Sequence, residues 1–122
     1  MSPVPALSTG RFVLLEHDCP ALHWDFLLEQ PDAAATWRLC DFPWPGRSVW
    51  SERIADHRLL YLVYEGPVSG NRGSVRRIAS GYYRGELSVR DGGSVILLNS
   101  RFASRAVLSV IDSSSMQWRL ED

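Results

Sequence analysis

The chain reads as an all-β domain, a barrel or a sandwich, on two observations. Short runs of β-branched, aromatic and leucine residues recur at about 8–12-residue spacing, punctuated by Gly, Pro and Asp. A helical period of about 3.6 residues never holds for more than about two turns. The length of 122 residues fits one domain. Such a domain buries roughly two-thirds of its unfolded surface, so its core needs no metal or disulfide to hold it.

The elements follow in order. Residues 1–10 contain two prolines, two serines and a glycine, the composition of a flexible N-terminal arm, which leaves 11–122 as the domain. Residues 11–16 (RFVLLE) form a first strand. Pro20 ends it in a loop, because proline cannot continue a central strand. Residues 23–29 form a second strand, and the turn at 31–35 leads to a third at 36–41 that carries Trp37. Residues 42–46 (FPWPG) make a rigid loop. Strands are then expected at 49–54 and 59–64, with Asp56 and His57 at the boundary between them. The glycine-rich stretch 65–73 is a loop. Further strands are expected at 74–79, 82–83, 85–90, 94–98, 102–111 and 116–120, with a hairpin signal at Asp91-Gly92-Gly93.

Composition narrows the chemistry. The formal net charge is −1, so no global field draws in nucleic acid, and such binding needs a local patch. All 13 basic residues are arginine. The lack of lysine excludes Schiff-base and lysyl-adenylate chemistry and the Walker A phosphate loop. It leaves phosphate recognition open, since arginine is the better bidentate partner. The two cysteines, Cys19 and Cys40, lack zinc-site spacing and fit free thiols in a reducing compartment. The N-terminus has no signal-peptide pattern, and no apolar run approaches about 18 residues, so a cytoplasmic protein is expected.

The chemistry-bearing stretch is 17–29 (HDCPALHWDFLLE). Side chains alternate across a strand, so His23 and Asp25 share one face while Trp24, Phe26 and Leu28 fill the other. His17, across Pro20, can swing back over the His23 face. Two readings serve this spacing equally: a metal site on the outside of a sheet, or a solvated polar face. The third and last histidine is His57. A set of imidazoles and one carboxylate suits manganese or zinc with open positions rather than a closed structural zinc site. Glu16, Glu29 and Asp56 are candidates to accept the far N–H of a ligating imidazole. Arg72, Arg76 and Arg77 either meet a nucleic-acid backbone or form a solvated face. The tryptophans read as core residues.

The pattern His17-x5-His23-Trp-Asp25-Phe-x-Leu-Glu29 resembles the hallmark of the 3′-phosphoesterase domain of bacterial DNA ligase D. Thr36-Trp37-Arg38-Leu39, Asp56-His57-x3-Tyr61-x3-Glu65-Gly66 and the closing Trp118-Arg119-Leu120 are similar to later segments of that family, in the same order. The resemblance spans residues 11–120. It implies a single small β-barrel with an active site on its outer surface. It also implies a manganese-dependent enzyme that trims 3′-phosphates and 3′-ribonucleotides from DNA in repair by end joining, beside separate ligase or polymerase partners. His17, His23 and Asp25 would hold the metal, with zinc or another divalent first-row ion as alternatives. His57 and Tyr61 would contact the scissile phosphate. The chain departs from the family at Leu27 and Asp41, where the family carries cations. Arg53 or Arg38 would then supply the phosphate-binding charge. The alternative reading is a catalytically weakened or inactive barrel that binds nucleic-acid ends or a repair partner.

Overall fold

The structure is a computed structural model that describes residues 6–122. It contains nine strands: β1 (Ala6–His17), β2 (His23–Glu29), β3 (Ala34–Leu39), β4 (Ser48–His57), β5 (Gly66–Pro67), β6 (Ser74–Ser88), β7 (Gly92–Leu98), β8 (Arg105–Val110) and β9 (Met116–Glu121). All pairings are antiparallel. Eight strands run in the order β1-β2-β3-β4-β9-β8-β7-β6, and β6 pairs back onto β1 to close a barrel. The two-residue β5 adds to the start of β6. No helix among the described residues is long and apolar enough to cross a membrane.

Closure follows from the side-chain alternation. The inward positions are Phe12 and Leu14 on β1, Phe26 and Leu28 on β2, and Trp37 and Leu39 on β3, and every remaining barrel strand adds buried apolar residues to the same core. Trp118 stands at the centre, its ring edge-on to Phe26 at 4.8 Å and to Trp37 at 5.1 Å between centroids. Edge-to-face packing of this kind brings the positive ring edge onto the negative face.

A second apolar layer lies on the outside of the barrel. Val13, Leu15, Leu27, Ala34 and Val75 point outward and are nonetheless buried. They are covered by Leu62, with Leu59, Tyr61, Tyr64 and Val68 packed against them. This cover comes from the segment 59–73, which folds back over the β1–β2 surface.

Several sequence expectations need correction. Residues 6–10 of the expected arm belong to β1, paired with the end of β6, and residues 1–5 lie outside the described residues. Gly10 permits the close approach, since a Cβ there would sit 2.9 Å from the Glu29 carbonyl oxygen. Residues 59–64 are not a strand; Leu59–Leu62 is a 3-10 turn. An uninterrupted apolar run carries no period, and here Leu59, Tyr61, Leu62 and Tyr64 turn to the outer layer while Leu60 and Val63, three apart, face solvent, the spacing of a 3-10 turn. The three short strands expected between 74 and 90 are the single strand β6. Gly81 and Gly85 lie within it, and Gly81 sits where a Cβ would overlap the Leu98 carbonyl oxygen of β7. Strand glycines can thus mark close approach rather than a break.

Candidate metal centre

The site grows from the β1–β2 hairpin. Its register sets His17 opposite His23 and Leu15 opposite Asp25. His23 and Asp25, two apart on β2, project from the outer face. Trp24, Phe26 and Leu28 project inward. His23 is 6% exposed and Asp25 1%, because the outer apolar layer continues beside them. One ligand atom from each of His17, His23 and Asp25 falls within 4.8 Å of the others.

The tautomers follow from the backbone. His23 Nδ1 lies 2.9 Å from the Ala21 carbonyl oxygen, and His17 Nε2 lies 2.8 Å from the Arg72 carbonyl oxygen. A carbonyl only accepts, so these nitrogens donate. The free lone pairs are therefore on His23 Nε2 and His17 Nδ1. Both backbone anchors are the kind of outer contact that fixes a ligating imidazole.

His57 arrives from β4 by a bulge. Ala34 faces His57 while Thr36 faces Ile54, so β4 carries one extra residue between them. Without it, alternation from the outward Glu52 would send His57 to the opposite face. The bulge re-aims a side chain, as such irregularities commonly do. His57 Nδ1 is 3.3 Å from its Ala55 carbonyl oxygen, and its Nε2 is 3.5 Å from Asp25 Oδ2. The Tyr61 ring stands edge-on to His57 at 5.7 Å.

Asp25 Oδ2 is also 3.4 Å from His23 Nε2. Yet His23 Nε2 and Asp25 Oδ1 are buried atoms with no hydrogen-bond partner. A buried carboxylate beside an imidazole lone pair is costly unless a cation stands between them. A divalent ion meets that need, and two imidazole nitrogens with one carboxylate suit a first-row ion with open positions. The residues present therefore fit the metal that the resemblance implies. His57 stands outside the three-ligand cluster.

A cleft of about 410 Å3 opens over this cluster. Its lining includes His17, Asp25, His57 and Tyr61 together with Arg38, Arg58 and Arg72. Arg38 stands directly across from Asp25 on β3, and its Nε is buried without a partner. Arg53 does not line the cleft. Its guanidinium donates to the carbonyl oxygens of Thr36 and Ile54 and to Asp56 Oδ1, with Cζ 5.1 Å from the Trp37 ring centre.

The remaining candidates fall elsewhere. Asp56 is taken by Arg53, Glu16 by Trp24 Nε1 and Arg76, and Glu29 by Arg11. None of these acids orients an imidazole; backbone carbonyls do so instead. Arg76 pairs with Glu16 and Arg77 with Glu65, whereas Arg72 reaches the cleft. Cys19 lines the cleft without joining the ligand cluster, and Cys40 is exposed. Leu27 is fully buried in the outer apolar layer, and Asp41 pairs with Arg47 and accepts from the Phe42 amide. Sequence reading missed Arg58 and the carbonyls of Ala21 and Arg72. Arg58 sits next to His57 in sequence, which was the available clue; a carbonyl carries none.

Gly73 holds the wall that anchors His17. Its φ is +73°, and a Cβ would overlap Asp18 Oδ1 and Cys19 Cβ. Its neighbour Ser74 donates its amide to Asp18 Oδ1 at 2.8 Å. Only glycine permits this docking of the 18–20 loop against 72–74. A comparison with models of protein families and with curated proteins finds no match to this chain.

Proposed function

We propose that this protein is a metal-dependent phosphoesterase that trims 3′-phosphate or 3′-ribonucleotide ends of DNA, working in the cytoplasm in repair by end joining. The observation that carries this reading is one cleft that brings His57, Tyr61 and three arginines to His17 and Asp25, which cluster with His23. Manganese, or zinc in its place, would be held by His17 Nδ1, His23 Nε2 and the Asp25 carboxylate. When bound, the ion supplies Lewis-acid stabilisation of charge on phosphoryl oxygens.

The chain supplies the rest. Arg38 and Arg58 offer charge-assisted, bidentate donors for phosphate oxygens, and Arg72, whose Nε and Nη2 donate to Ser69, adds positive charge to the cleft wall. Donors aimed at developing charge contribute strongly in a partly desolvated cleft. His57 keeps its Nδ1 proton on the Ala55 carbonyl, so Nε2 is the nitrogen that faces substrate. Once protonated, Nε2 can donate to the phosphate or to the leaving oxygen. The Tyr61 hydroxyl orients the phosphate beside it. A DNA 3′ end is the ligand, and a separate ligase or polymerase would use the 3′-hydroxyl produced.

The second reading is a barrel that binds nucleic-acid ends without turning them over. It is favoured by Leu27 and Asp41, since one is sealed in an apolar layer and the other neutralised by Arg47. Incubation with manganese and a DNA strand ending in a 3′-phosphate or 3′-ribonucleotide separates the two. End trimming that disappears in His17→Ala and His57→Ala supports the esterase. Metal binding without turnover supports the binding module, and turnover that survives His17→Ala removes the proposed centre.

A further inference from the structure

We propose that a groove beside the metal centre, carrying Trp50, is a nucleobase subsite for the nucleotide whose phosphate enters the cleft. This rests on the nucleic-acid-end reading above. The groove has a volume of about 250 Å3 and shares two of its residues, His23 and Arg38, with the metal cluster or the cleft. It is therefore continuous with the place where a phosphate would sit.

The sheet register defines its floor. Trp24 faces Leu39, Leu39 faces Ser51, and the Cys40 amide donates to the Trp50 carbonyl at 3.1 Å. His23, Cys40 and Trp50 thus form one outward row across β2, the end of β3 and β4. Two strand spacings separate His23 from Trp50, roughly 10 Å. Asp25, Arg38 and Glu52 form the next row.

Trp50 is 52% exposed and Leu22, also in the groove, 56%. Trp37 and Trp118 are spent in the core, and Trp24 and Trp44 each pack on or near Phe42. Trp50 makes no ring contact among the described residues. An open indole face is a sequence-tolerant platform for a base. The charges set the direction of the ligand. Arg38, on the cleft side, suits phosphate. Glu52, beside Trp50, repels phosphate and accepts N–H donors, such as the amino edge of a base. The base lies toward Trp50 and the phosphate toward Arg38.

The test uses a fluorescent single strand ending in a 3′-phosphorothioate and a matched strand whose last nucleotide lacks its base. Both are titrated at fixed salt against the wild-type protein, Trp50→Ala and Trp50→Phe. Loss of one base stack lowers affinity about 5- to 150-fold, so Trp50→Ala should weaken the complete strand by that factor. Trp50→Phe should stay close to wild type, and the strand lacking the base should bind all three proteins alike. Unchanged binding of the complete strand by Trp50→Ala overturns the subsite, as does equal weakening of both strands. If the wild-type protein binds neither strand, the nucleic-acid reading fails together with the subsite, whereas the preceding outcomes remove the subsite alone.

Discussion

The two faces of the β1–β3 sheet are both buried, but for different reasons. The inner face is lined by aliphatic and aromatic side chains and closes on Trp118, and its burial serves folding. The outer face buries His23 and Asp25 beside Leu15 and Leu27, under the 59–73 segment. There, atoms capable of hydrogen bonding are left without partners. The inner core leaves the neutral indole N–H donors of Trp37 and Trp118 without partners, whereas the outer face leaves an imidazole nitrogen and a carboxylate oxygen, atoms that ligate a cation. The chemistry of the orphaned atoms separates core from site.

The sharpest way to break the comparison is to damage each face in turn. Trp118→Ala should lower stability by about 3–5 kcal/mol, because it empties the centre of the aromatic stack. Denaturant unfolding checks the loss. The metal ligands lie on the other face, so the folded fraction should keep wild-type metal affinity. Gly73→Ala should strike the outer face. It displaces the Arg72 carbonyl from His17 Nε2, and losing such an outer anchor lowers metal affinity about 10- to 100-fold. Its positive φ adds a stability cost of about 1–3 kcal/mol. Calorimetric metal titration alongside thermal melting separates these effects.

The faces also differ in their pH edges. Burial pushes the Tyr83 hydroxyl, at the inner core, up to about 12. Its folded value is raised, so its contribution is complete below the ordinary tyrosine value of about 10 and is lost as pH rises toward 12. Tyr83→Phe should flatten that alkaline decline of stability. On the outside, the hydrogen bond from Arg11 holds Glu29 below the usual carboxylate range. Its contribution is present above the ordinary value and lost as pH falls through the folded one. The pair is partly exposed, so Glu29→Gln should cost less than about 1 kcal/mol at neutral pH, with the difference vanishing in acid. Stability curves against pH check both edges.

Much of this was legible in residue order. The alternation in β2 placed His23 and Asp25 on one face, and His17 returned over them because the register pairs it with His23. Strand spacing gave the all-β class. The bulge between Ile54 and His57 was not legible, since an inserted residue alters no composition. The 3-10 turn at Leu59–Leu62 was hidden because every residue in that run is apolar or aromatic. Arg53 looked available in sequence, but its charge is consumed by Asp56 and two carbonyls. Leu27 looked like a defect in a phosphate-facing surface, yet it seals the layer beneath the site. A side chain's type can be read from sequence; whether its hydrogen bonds are already spent depends on contacts far along the chain.

The most direct test of the metal centre is calorimetric titration of the metal-free protein with manganese and with zinc. One ion should bind per chain, with a rise in melting temperature by mass action. Asp25→Ala and His23→Ala should abolish both the binding and the rise while leaving a folded barrel. Absence of binding, or binding unchanged in these variants, would contradict the assignment of the orphaned atoms of His23 and Asp25 to a metal.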